Sequence, residues 1–180
     1  MELNALMSTL LGSDSIAGLS KRADVSEEDV KKVLASAMPQ LLAGAQGQAQ
    51  DEETAEGFAQ ALKDHAADDT SDVRGFLDKV DDLDGGKILA HLLGLNQGTI
   101  TESAAASSGL KPAQVLKILS VAAPLLMSLL GKQAGKEDQS VGVGTLMSAL
   151  LGKNDTASLV QTLLFGKKKK KGLLSLLFGR

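Results

Sequence analysis

The stretch Val25–Ala49, VSEEDVKKVLASAMPQLLAGAQGQA, is written a second time 85 residues later, as Leu110–Ala134, LKPAQVLKILSVAAPLLMSLLGKQA. At that offset Val30 meets Val115, Val33 meets Ile118, Leu34 meets Leu119, Ala37 meets Ala122, Pro39 meets Pro124 and Leu41 meets Leu126. Apolar residues at i, i+3, i+4, i+7 and i+11 mark one face of a helix. A proline inside such a pattern removes a backbone donor and crowds the preceding turn, at roughly 3 kcal/mol. The same defect at the same phase of two matching segments predicts two helices kinked at Pro39 and Pro124. The fold expected is all-α, a duplicated helix–turn–kinked-helix unit flanked by short Leu-rich helices.

Composition sets the bounds. A chain of 180 residues is one domain or two small ones and buries a real core. With four Phe, no Trp and no Tyr, that core is built from Leu, Val, Ala and Met. Absence of cysteine excludes disulfides, thiolate metal sites and cysteine catalysis. The start, MELNALM, has no basic n-region, so no secretory signal is expected. No unbroken apolar run reaches the roughly 18 residues of a membrane span. A cytoplasmic protein is the expectation, peripheral to a membrane if its basic end finds one.

Charge is segregated. Twelve acids between Asp51 and Asp84 face only Lys63, Arg74 and Lys79, whereas seven bases from Lys153 to Arg180 face only Asp155. The organisation read from this is a first helical unit over 1–50, an acidic helical insert over 51–84, a second unit over 85–166 and a basic–apolar tail over 167–180.

Along the chain, NALMSTLLG (Asn4–Gly12) recurs as GTLMSALLG (Gly144–Gly152) and, more loosely, as GKILAHLLG (Gly86–Gly94). Gly12 is expected to close the first helix, with Ser13 or Asp14 capping the next over Ile16–Ala23. After a turn at Asp24–Val25, Ser26 caps the first kinked helix, which should end near Gly44–Gly47. Two acidic helices follow, over Asp51–Ala67 and Asp72–Val80. DDLDGG (Asp81–Gly86) reads as a linker. A helix then starts at Thr99, and Pro112 sits at the first turn of the second kinked helix. Val141–Leu151 and Thr156–Phe165 close the fold, before Lys167–Lys171 and GLLSLLFGR.

The line IAGLSKRADVSEEDVKKVLASAMPQLLAGA, recurring over Ile100–Ala134, and the connector GGKILAHLLG (Gly85–Gly94) resemble an uncharacterised bacterial family that includes YidB. The resemblance implies a helical fold with a homeodomain-like substructure and no established activity. It supplies structural positions only, Val25, Val30, Leu34 and Pro39 with Leu110, Val115, Leu119 and Pro124.

Three functional readings follow from the residues. The helix–turn–helix cadence of IAGLSKRADVSEEDV suggests DNA, yet its second helix opens on Glu27, Glu28 and Asp29, which repel phosphate. The second copy offers Lys111, Gln114 and Lys117. The tail lysines Lys167, Lys168, Lys169, Lys170 and Lys171 are candidates for an anionic membrane or polyanion. Catalysis and metal binding have little to stand on. His65 and His91 are the two histidines, with His91 expected as a hydrogen-bonded structural imidazole. Asp81, Asp82 and Asp84 lack a calcium-loop pattern, and Gly142 and Gly144 make a bare G-x-G. The expectation is therefore a non-enzymatic helical module without cofactor or metal. It would bind a protein or peptide helix, or itself, through Leu/Ala faces. Nucleic acid is the lesser partner.

Overall fold

The computed structural model describes residues 3–136, 142–151 and 156–166. Among these every regular element is helical: α1 (Leu3–Leu10), α2 (Ser13–Ala23), α3 (Glu27–Gln50), α4 (Ala55–Ala66), α5 (Val73–Lys79), α6 (Asp82–Leu93), α7 (Gln97–Ser108), α8 (Pro112–Ala134), α9 (Val143–Leu151) and α10 (Thr156–Phe165), with a 3₁₀ turn at Gly94–Asn96.

The long helices α3 and α8 run through their prolines without interruption. They begin 85 residues apart, at Glu27 and Pro112, and the helices before them end 85 apart, at Ala23 and Ser108. Burial follows the same register. Val30, Val33, Leu34, Ala37, Met38, Leu41, Leu42 and Ala45 are buried in α3, as are their counterparts Val115, Ile118, Leu119, Ala122, Ala123, Leu126, Met127 and Leu130 in α8. The turn chemistry matches too, since Asp24 (φ 54°) and Gly109 (φ 75°) both reverse the chain in the left-handed region. Ser26 Oγ accepts from the Asp29 amide at 3.1 Å to open α3, and Gln114 Oε1 accepts from the Lys111 amide at 3.0 Å to open α8.

Packing is crossed. α3 lies against α7 and α2 against α8, and α9 and α4 cover α3 and α8 respectively. One core results, running through both stretches 1–50 and 85–166. By length and apolarity α8 would cross a bilayer, but it is mostly buried inside the protein. Its continuous apolar character from Val121 to Gly131 is that of a core helix.

Several boundaries differ from the sequence reading, each for a packing reason. Gly12 does not close α1 in a left-handed turn; at φ −71°, ψ 167° it is the N-cap of α2, so Ser13 and Asp14 lie inside that helix. α3 does not stop at Gly44–Gly47, because Gly44 is a contact point. A Cβ there would lie 1.9 Å from the Leu92 carbonyl oxygen of α6. The DDLDGG stretch is helix rather than linker. Asp81 Oδ1 accepts from the amides of Leu83 (2.8 Å) and Asp84 (3.4 Å), starting α6 at Asp82. Gly85 then meets α8 where Pro124 cannot donate to the Ser120 carbonyl; a Cβ on Gly85 would lie 1.8 Å from that oxygen. α7 begins at Gln97, two residues before the expected Thr99, because the 3₁₀ turn leads straight into it.

Candidate functional site

Leu6, Met7, Leu10 and Leu11 of the first Leu-Leu-Gly segment, and Leu89, Leu92 and Leu93 of the connector, are all buried. The Leu/Ala faces offered by the sequence to a partner are thus turned, over the described residues, into the protein's own core. Of the repeat positions, Val30, Leu34, Val115 and Leu119 are fully buried, Pro124 is buried, and Val25, Leu110 and Pro39 are half-buried. Lys167–Lys171, with the last apolar segment, lie outside the described residues.

Three polar or concave features remain. The first is a clamp at the junction of α2, α5, α6 and α8. Arg22 Nη1 donates to the carbonyls of Leu77 (3.0 Å) and Asp78 (2.8 Å), and Nη2 to the carbonyl of Val80 (3.0 Å) and to Asp82 Oδ1 (2.5 Å). The guanidinium therefore closes the C-terminal turn of α5, reaching the Asp78 and Val80 carbonyls and sharing the Leu77 carbonyl with the Val80 amide at 3.4 Å. Lys117 pairs with the other oxygen of Asp82, and Lys21 with Asp78. Hydrogen bonds from Lys117 and then Arg22, with their charges adding to them, hold the Asp82 carboxyl below the usual aspartate range. Three bases of the helix–turn–helix reading, Lys21, Arg22 and Lys117, are thereby neutralised within the protein. No regularity in the sequence signalled this clamp, because its members lie up to 96 residues apart.

The second feature is an acidic cleft of about 500 Å³ lined by His65, Asp68, Asp69, Asp72 and Asp84 with Lys79. Here Asp68 Oδ2 lies 2.7 Å from Ser128 Oγ and 2.9 Å from His65 Nδ1. The three residue types of a hydrolytic triad meet, but in the wrong order. Aspartate stands between serine and histidine, so the imidazole cannot take the hydroxyl proton. Ser128 is fully buried and also contacts the Pro124 carbonyl at 2.9 Å, so its hydroxyl ties α8 to the α4–α5 loop. Asp69 is held below its usual range by hydrogen bonds from the Ser71 side chain and amide, a local turn.

The third is an apolar groove of about 380 Å³ where the end of α3, α4, α6 and α8 meet. Phe58, Ala61, Ile88, Leu92 and Met127 form its apolar lining, and Gln48, Glu53, Thr54 and His91 its polar positions. Two hydrogen bonds hold its edge. Gln48 Nε2 donates to the His91 carbonyl at 3.0 Å, and Thr54 Oγ1 donates to the Gln48 carbonyl at 2.9 Å. His91 is exposed and its ring makes no hydrogen bond among the described residues, so it is not the structural imidazole expected. Helical spacing puts Phe58 and Ala61 on one face of α4, but nothing in the sequence signals their meeting with Ile88 and Met127.

Among the described residues, no group of three His, Cys, Asp or Glu side chains has metal-binding geometry. Residues 5–133, α1 to α8, match the family described as bacterial protein of unknown function, DUF937. Neither a curated protein nor a solved structure matches the chain.

Proposed function

We propose, from the premise that the chain belongs to the DUF937 family of bacterial proteins of unknown function, that it is a non-enzymatic helical interaction module whose docking surface is the apolar groove between α4 and α6. The observation that carries the reading is the lining of Phe58, Ala61, Ile88, Leu92 and Met127 left open between α4 and α6. Apolar concavities edged by a few polar groups take the apolar face of a helix or peptide. In the same reading α2–α3 and α7–α8 are duplicated copies of one helix–turn–helix unit, of the kind resembled by the family that includes YidB. Each first helix also lies on the other copy's second, α2 on α8 and α7 on α3.

The runner-up is an accessory protein at DNA or an anionic membrane. It rests on Lys167–Lys171, since Lys21, Arg22 and Lys117 are already paired.

The test uses fluorescein-labelled Leu/Ala helices of neutral, acidic and basic charge, titrated by anisotropy. The full chain and its Leu176→Asp/Leu177→Asp variant are both measured, because the tail is itself Leu-rich. Saturable micromolar binding, abolished by Gly57→Trp, is the expected result. Gly57 lines the groove and nothing lies within 4 Å of a Cβ built there, so the bulky residue fills the groove without disturbing the core. No binding to either form, or binding indifferent to Gly57→Trp, overturns the reading.

A further inference from the structure

Glu53 of the groove, with Glu52 and Glu56 near it in sequence, carries charge that the described residues leave unanswered. Glu52, Glu53 and Glu56 are exposed, Glu53 lines the groove, and none of the three forms an ion pair among the described residues. An apolar lining beside an anionic rim calls for an occupant with bases followed closely by apolar side chains. The chain contains one, KKKKKGLLSLLFGR, in the fourteen residues after Gly166.

We propose that the groove is the seat of this chain's own Leu173–Phe178 segment, with Lys167–Lys171 lying across Glu52, Glu53 and Glu56. The inference rests on the groove being a docking surface. α10, from which the segment departs, packs along α3, and the last turn of α3 supplies Gln48 to the groove. From Gly166 to Leu173 the chain reaches about 23 Å when extended, against a radius of gyration near 16 Å for a body of this length. Exposed charges are screened within about 10 Å at 0.1 M salt, so the lysines choose the rim while the leucines hold the seat. Leu173, Leu174, Leu176, Leu177 and Phe178 are apolar on nearly every side, which suits burial in a groove. An occupied groove admits an external helix only when the segment leaves, so the tail regulates the docking surface.

The absence of cysteine permits a clean test in the full chain. Gly57→Cys, inside the groove, and Gly98→Cys, an exposed helical position outside it, are each combined with Ser175→Cys. Nothing lies within 4 Å of a Cβ at either glycine. Under mild oxidation at about 10 μM protein, a tethered segment has an effective concentration near millimolar. The Gly57→Cys pair should therefore close an intramolecular disulfide about a hundredfold faster than disulfides form between molecules, outpace the Gly98→Cys pair on the same tether, and lose that advantage in Leu176→Asp/Leu177→Asp. Equal rates at both positions overturn the proposal. A disulfide-linked dimer through Gly57→Cys also overturns it, because the occupant is then a second copy. Failure of the self-docking inference alone leaves the labelled helices binding the full chain and Leu176→Asp/Leu177→Asp equally. Failure of the groove reading abolishes that binding in both.

Discussion

Two glycines three residues apart in α3 should respond to the same substitution with opposite signs. In an exposed helix interior, glycine to alanine gains about 1 kcal/mol from backbone entropy. Gly47 meets this condition, since a Cβ there has nothing within 4 Å. At Gly44 the added carbon would lie 1.9 Å from Leu92 O and 2.8 Å from Leu92 C, both backbone atoms of α6. Reaching even a 3.0 Å contact requires the end of α6 to retreat by more than 1 Å, opening the packing around Leu89, Leu92 and Leu93. Overpacking of a core costs about 1–3 kcal/mol, and a backbone obstacle belongs at the upper end. Set against the helical gain, Gly44→Ala should lose about 1–2 kcal/mol while Gly47→Ala gains about 1. For a body of this size that is a separation of roughly 4–12 °C in Tm. Thermal and urea denaturation followed by circular dichroism at 222 nm reads both, in a chain whose lack of Trp and Tyr rules out the usual fluorescence signal. If Gly44→Ala proves as stable as Gly47→Ala, the close seating of α6 on α3 is wrong, and the groove floored by Leu92 goes with it.

The other expectations follow the polar contacts. Arg22→Ala leaves the carbonyls of Asp78 and Val80 without the guanidinium and should cost about 2 kcal/mol in urea denaturation, with Arg22→Lys recovering little because one ammonium cannot span them. Asp82 has a folded-state pKa below its unfolded value, so its contribution is present above about pH 4 and fades as pH falls through the folded value. Asp82→Asn should therefore be less stable than wild type at pH 7, by under about 1 kcal/mol given its exposure, and converge with it in acid denaturation profiles. Ser128→Ala removes a buried hydroxyl that joins α8 to Asp68 and should cost about 1 kcal/mol, read by the same denaturation assay. Any binding of the full chain to duplex DNA should be indifferent to sequence and vanish when Lys167–Lys171 are changed to Gln. Its log–log salt slope should be no steeper than about −4.5 for five phosphate contacts, and sequence preference in a gel-shift assay would contradict this.

Helix class and phase were legible because they are local. Val30, Val33, Leu34 and Ala37 announce a buried face and Pro112 a first turn, each from residues within a few positions of one another. Errors gathered where a residue answers to something distant. Gly44 and Gly85 read as breakers in sequence, but both are places where another helix approaches too closely for a Cβ. Asp81 and Asp82 read as linker acids, yet one caps α6 and the other answers Arg22 and Lys117. The groove was illegible for the same reason. Phe58, Ile88 and Met127 meet only through the crossed packing, which no periodicity encodes.

Crossed packing also has a consequence for how the chain reaches its native state. Helical proteins usually fold fast because their contacts are between neighbours in sequence. Here α2 rests on α8, about a hundred residues later, and α3 on α7, about seventy later. A nascent chain on the ribosome thus forms its first helix pair long before the surfaces that bury it exist. The apolar stripe from Val30 to Ala45 stays only partly covered, by α2, α4 and α6, until α7 has emerged, at a synthesis rate of roughly 5–20 residues per second. Refolding in the stopped-flow should accordingly be slow for so helical a molecule, and its early intermediate sticky, a clientele for holdase chaperones during each round of translation.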